Sequence, residues 1–414
     1  MNRGRFTVFQ PSLPNLFARL IGDALPFFNA LIVLLLVACN APRGVVLWHA
    51  YNGDERIALE ATAAAWNAAH PDQQLTLVAV PYDAFADKLS SAIPRGNGPD
   101  LFIYPQDRIG DWADAGVIEP LEFWVDDARA DRFTEQSLGA MAYKGSLWGL
   151  PMTVKSLVLY YRTDIVAAPP RTTNDLIALG EHLKSRHVFA LAYPSPDLYA
   201  HAMWLHGFGG RVMDDDGALT IATPKATAAM AFARALVAQG IAPEDAQGPL
   251  IASMFNEGRT ATAVSGPWFI PDIAKGVPWK VTTLPVVSDT GKPAAPFISA
   301  EGILMSARAK DKDAAFAVMD YLSGDEAAVT RAKAGHQVVP NLHAYDDREL
   351  ASDPTVAVFR AQLQHVVAMP NDPTMRRVWT PYRTALGEVL AGRDDPGAAL
   401  NALNAEIEKY ADKP

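Results

Sequence analysis

Short apolar runs alternate with longer amphipathic stretches along the first third of this chain, and the alternation predicts its architecture. VVLWHA (45–50) is a short apolar run suited to a buried strand, and the alanine-rich stretch from Asp54 to His70 has a helical pattern. The pair recurs: LTLVAV (75–80) precedes a helical stretch over 82–93, and LFIY (101–104) precedes one over 106–115. Strand then helix, repeated, predicts an α/β fold with a parallel sheet. Beyond residue 150 the rhythm is less regular, with a strand near Ser156–Tyr161, helices over 173–186 and 197–206, and a hairpin signal in MDDDGALTI. The last third is mostly helical, with apolar positions at Ala315, Phe316, Met319, Tyr321 and Leu322 in register. SDTGKPAAP (288–296) predicts a surface loop, and there is no internal repeat or low-complexity tract.

The most apolar run lies near the N-terminus and closes on LLLVACN (34–40), which holds the single cysteine, Cys39. Arg3, Arg5 and Arg19 precede an apolar stretch from Ala24 to Ala38 that ends in small residues, the pattern of a secretory signal. Its uninterrupted part, Ala30–Cys39, is ten residues long. That is about half of the ~20 a helix needs to cross a bilayer. One cysteine cannot form an internal disulfide. A buried thiol in a hydrophobic helix is one reading of Cys39. The other rests on Leu36-Val37-Ala38-Cys39, which resembles the bacterial lipobox. That resemblance implies that residues 1–38 are removed, that Cys39 is diacylated, and that 39–43 form a tether; more than one acyl chain is what stable anchoring takes. The long segment before the apolar run, with Pro11 and Pro14, leaves a downstream start codon open.

Length and charge narrow the picture. At 414 residues the chain exceeds the size at which one core keeps growing, which predicts two lobes. A formal charge of −10 with no basic block argues against a nucleic-acid partner. Asp214-Asp215-Asp216-Gly217 has the acidity of a calcium loop, but position twelve would be Lys225, and a hairpin turn accounts for it. His49, His201 and His206 make no HExxH or Cys/His cluster, so no metal is expected, and the glycines form no phosphate cradle or nucleophile elbow. No carboxylate pair stands out among 46 acidic residues. No cofactor is expected.

Aromatic residues say more. Among nine tryptophans, Trp112, Trp148, Trp268 and Trp379 sit beside charged or small residues. Such a ring can lid a core. It can also stack on a sugar, whose C–H face is apolar and whose rim is hydroxyls that suit Asp, Glu, Arg and Asn. YPQDRIG and WTPYRT each place an aromatic three or four residues from an arginine, which on a helix points both side chains the same way.

Five motifs then follow in order: GPDL (98–101), YKG leading into WGLP (143–151), YYRTD (160–164), FNEG (255–258) and VSGPW (264–268). In that order, joined by MPNDPTMRRVWTPYRTAL (369–386), they resemble the extracellular solute-binding proteins of ABC sugar importers, most closely the maltose/maltodextrin-binding proteins. The resemblance runs from about residue 44 to the C-terminus. It implies a two-lobed periplasmic binding protein-like fold of type II, with 44–153 plus 300–340 in lobe 1, 154–299 plus 341–414 in lobe 2, and ligand between them. Carried over position by position, ligand contacts fall on Tyr104, Asp107, Arg108, Asp197, Tyr199, Trp268, Met369, Trp379 and Arg383, with Asn52 or Asp54 as further contacts in a loop of different length. Tyr104 stands where the family has tryptophan, and Asp197 where it has glutamate. Lys155 stands where maltodextrin binders carry a glutamate, exchanging an acceptor for a donor. The implied protein is a monomeric, non-enzymatic, membrane-anchored lipoprotein at the periplasm or cell surface, serving permease subunits and their ATPase. A glycoside hydrolase and a surface adhesion lipoprotein are the alternatives from other classes.

Overall fold

The computed structural model describes residues 44–214 and 217–409, so Cys39, the signal segment and the tether lie outside the described residues. Ten strands carry the architecture: β1 Val45–His49, β2 Leu75–Ala79, β3 Leu101–Pro105, β4 Gly149–Lys155, β5 Val158–Arg162, β6 Phe189–Ala192, β7 Thr260–Ser265, β8 Trp279–Thr282, β9 Phe297–Met305 and β10 Val367–Ala368. They form two sheets. The first runs β10-β9-β3-β1-β2, with β4 also paired to β9, and the second runs β8-β5-β7-β6. Strands β1, β2 and β3 are parallel, as their apolar runs predict, and β9 lies antiparallel to β3 and β4.

The first sheet is buried on both faces, the reason its strands read as continuous apolar runs. Leu47, Leu101, Ile103, Met152 and Ile303 pack one way, against the helices Gly53–Ala69 and Lys312–Leu322. Trp48, Phe102, Val154 and Leu304 pack the other way, against Tyr82–Ala92 and Ile109–Asp114. Ala315, Phe316, Met319 and Leu322 are buried as their spacing predicts. Around the second sheet a separate core joins Leu157, Leu159 and Val264 to the helix Leu198–Gly207 and to the C-terminal helices Met375–Leu390 and Pro396–Lys409. The fold is thus α/β with two lobes.

The strand expected near Ser156–Tyr161 is β5, shifted by two residues at its start; β4, which the sequence did not predict, ends just before it, with Ser156 and Leu157 between the two. The two strands pair in different sheets, β4 with β9 and β5 with β7, so the chain crosses between lobes there. The Ser156 hydroxyl donates to the Phe297 carbonyl at 3.3 Å and ties the crossing to the start of β9. SDTGKPAAP is the turn of a small hairpin, Val286–Val287 against Lys292–Pro293. Asp214 N–H donates to Ala218 O at 2.9 Å beside the antiparallel bridge Met213–Leu219, in keeping with a hairpin at MDDDGALTI.

Candidate functional site

Parallel strands of an open sheet leave a crevice beyond their carboxyl ends, where the following loops diverge. In the first sheet β1, β2 and β3 end at His49, Ala79 and Pro105 and lead to Tyr51 and Asn52, to Tyr82, and to Asp107 and Arg108. Antiparallel β9 places Glu301 opposite Pro105, and β4 places Lys155 opposite Ser299, so both side chains emerge at the same edge. In the second sheet β6 and β7 are parallel and end at Ala192 and Ser265, leading to Asp197, Tyr199 and Trp268. Val158 pairs with Ser265, so this edge adjoins the first one across Ser156 and Leu157.

Tyr104 does not present its ring. It is 5% exposed, held edge-on by Phe85 and Trp112 at 5.6 and 5.0 Å, and covered by Tyr82, which lies parallel to it at 5.8 Å. Tyr82, 55% exposed, offers the open aromatic face instead. Asp107 is half-buried, and its Oδ1 has no hydrogen-bond partner among the described residues. Burial raises its pKa, against the pull of Arg108 and Arg376. Arg108 lies 3.9 Å from Asp111, which also pairs with Arg376. That second contact ties the helix Met375–Leu390 to the turn after β3.

A second aromatic group centres on Phe297, at the start of β9. Tyr199 and Trp379 each lie 6.4 Å from it, and the His206 ring meets it edge-on at 4.9 Å. Asp197 caps the helix Leu198–Gly207, accepting from Tyr199 N–H at 2.7 Å, and the Tyr199 hydroxyl donates to Lys155 O at 3.4 Å. Trp379 is half-buried; Arg383, one turn on, is exposed and has no ion pair among the described residues. Met369 is buried, held by Ile298 O at 3.0 Å and by Gln106, whose amide donates to Met369 O at 3.4 Å. With Phe297 and His206 it lines a recess of about 680 Å³ between 139–145, 206–214 and 366–372. Trp268, 45% exposed, folds back over Gly266, where a Cβ would sit 2.1 Å from the indole. Its position therefore requires a glycine two residues earlier.

Lys155 is exposed, and Glu301 is half-buried on the neighbouring strand. Burial raises the Glu301 pKa while Lys155 opposes the shift and Glu55 adds to it. Tyr51 lies behind, 4% exposed, its hydroxyl buried without a hydrogen bond of ordinary geometry among the described residues. Glu301, Tyr82, Phe297, Tyr51 and Arg376 were not among the residues expected from sequence. An aromatic directly after a carboxyl end could have signalled Tyr82; nothing in the local sequence signals Glu301, whose place depends on strand pairing. Among the described residues no group of three or more His, Cys, Asp or Glu side chains is arranged to hold a metal. No described helix is long and apolar enough to cross a membrane.

The sequence profile of a family described as bacterial extracellular solute-binding protein matches residues 61–358. A maltotriose-binding protein of Pyrococcus abyssi is 28% identical over 376 residues, 89% of this chain and 81% of the relative. A maltooligosaccharide ABC transporter solute-binding lipoprotein of Streptococcus pneumoniae is 26% identical over 332 residues, 76% of this chain and 77% of that one. Among solved structures, a cyclo/maltodextrin-binding protein complexed with maltotetraose superposes with a TM-score of 0.83 at 26% identity, covering 90% of this chain and 98% of the other.

Proposed function

Because this chain belongs to the bacterial extracellular solute-binding proteins, we propose that it captures a maltodextrin or related α-linked oligosaccharide between its lobes and delivers it to the permease of an ABC importer. The observation that carries the reading is the meeting of two carboxyl edges at Lys155–Val158, lined by flat rings and by charged groups on both sides. In this reading the rings of Tyr82, Tyr199, Trp268 and Trp379 stack on sugar faces, with Met369 beneath. Asp107, Arg108, Asp197 and Arg383 bond the hydroxyls. The lobes, taken as 44–153 with 300–340 and 154–299 with 341–414 except that β4, β9 and β10 belong whole to the first sheet, close on the ligand and present the closed surface to the permease. Transport energy comes from the ATPase partner.

A calorimetric screen of mono- to heptasaccharides, with small-angle scattering in parallel, tests this. Binding of a glucan with compaction of the protein is expected. Binding without compaction favours an adhesin, and release of reducing ends from an oligosaccharide favours a hydrolase.

Two variants sharpen the reading. Tyr82→Ala is expected to weaken glucan binding by roughly 3- to 10-fold, the loss of one open aromatic face. Tyr104→Phe keeps the buried ring and should bind like wild type; a larger loss in Tyr104→Phe than in Tyr82→Ala would return the platform to Tyr104. For the anchor, we take Cys39 as the acylated residue of a processed lipoprotein. Cys39→Ser, whose hydroxyl cannot form the thioether, should leave an unprocessed or soluble protein in membrane fractionation. Wild-type recovery in the detergent-extracted membrane fraction would instead make the apolar run itself the anchor.

A further inference from the structure

Lys155 has a residue of opposite charge one strand away, Glu301. Opposed residues of antiparallel strands share a face, and so do residues two apart on one strand. The pairs Ser299–Lys155 and Glu301–Thr153 therefore put Lys155, Thr153, Ser299 and Glu301 on one face, with Lys155 and Glu301 as diagonal neighbours. Such neighbours lie within reach of long side chains.

Glu301 is nonetheless poorly satisfied. Its donor among the described residues is the Thr153 hydroxyl at 3.5 Å, the long limit of a hydrogen bond, and no ion pair joins it to Lys155. A half-buried carboxylate with so little to accept from is costly unless something else donates to it. The Tyr51 hydroxyl, buried and without a hydrogen bond of ordinary geometry, faces the same carboxylate and, with Lys155 and Thr153, only partly offsets the rise in its pKa that burial causes.

We infer that Glu301 and Lys155 act together as a specificity-determining pair, the carboxylate accepting from one hydroxyl of a bound sugar while the ammonium donates to its neighbour. A carboxylate only accepts and an ammonium only donates, so neighbouring hydroxyls of one ring, each donor and acceptor, suit the pair. The inference rests on the proposed sugar-binding function.

Calorimetry with the best-bound glucan of the panel tests it, using Glu301→Gln, Lys155→Met and the double variant. Each single variant is expected to lose roughly 10- to 100-fold in affinity, the scale of a charged hydrogen bond. The double variant should lose clearly less than the product of the two, because the residues act on one ring. Apo melting within a few degrees of wild type separates this from a folding defect. Should Glu301→Gln not fold, the exposed Lys155→Met decides by itself: wild-type affinity overturns the pair, and a loss supports it. Wild-type affinity in Glu301→Gln, or strictly multiplicative losses, also overturns the pair and leaves the sugar-binding reading standing. A wild-type protein that binds no glucan overturns that reading and the pair with it.

Discussion

Trp379→Ala is expected to weaken glucan binding by roughly 30- to 1000-fold, the 2 to 4 kcal/mol typical of an aromatic hot spot. The helix Met375–Leu390 buries Val378 and Tyr382 fully in the second core. Trp379 and Arg383, each one position further on, sit on the neighbouring face, which is half-buried at Trp379 and exposed at Arg383. Trp379 reaches Phe297 beside the crossing between lobes. A fully buried tryptophan lost to alanine costs about 3 to 5 kcal/mol of stability. Only part of this ring is in the core, so a smaller fall in apo stability should accompany the binding loss. A collapse of apo melting with near-normal affinity would make Trp379 a core residue and remove the C-terminal helix from the cleft.

The second large effect is on stability against acid. His201 is fully buried with neither ring nitrogen hydrogen-bonded among the described residues; His206 is held by Ala295 O at 2.7 Å, its Nδ1 donating. Burial pushes His201 down to about 3 and His206 down to about 4. Below about pH 6.5 the unfolded chain takes up protons at both sites while the native state does not. The stabilisation is complete above pH 6.5 and drains away as pH falls toward the native-state values. Between pH 6.5 and 4.5 each histidine should cost about 2 kcal/mol. Urea unfolding of wild type and His201→Leu at pH 7 and 4.5 measures the share of His201. The variant should lose about 2 kcal/mol less than wild type over that span. Equal losses would mean that His201 is solvated or already protonated in the native state. At pH 7 the leucine should be tolerated, since it removes two buried polar atoms that have no partner.

Sequence by itself determined the elements whose signal is local. Three apolar runs followed by amphipathic stretches predict β1, β2 and β3 with their helices, because strands buried on both faces must be apolar throughout. The periodic Ala315–Leu322 positions predict a buried helix face for the same kind of reason, and an ordered set of motifs points to the family. What only the tertiary structure decided is what depends on which strand lies beside which. The strand near Ser156–Tyr161 was legible, but nothing in its composition records that the strand ending at Lys155 just before it pairs in the other sheet. Tyr104 reads as a ligand contact because an aromatic near the end of a strand carries no mark of being covered, and Tyr82, some twenty residues earlier, covers it. Lys155 reads as an acceptor lost, because Glu301 is 146 residues away in sequence yet its diagonal neighbour across β4 and β9. Local patterns fix backbone conformation through hydrophobic periodicity; a binding surface assembled from the ends of seven strands depends on pairings between distant segments, and those are set by the packing of the whole.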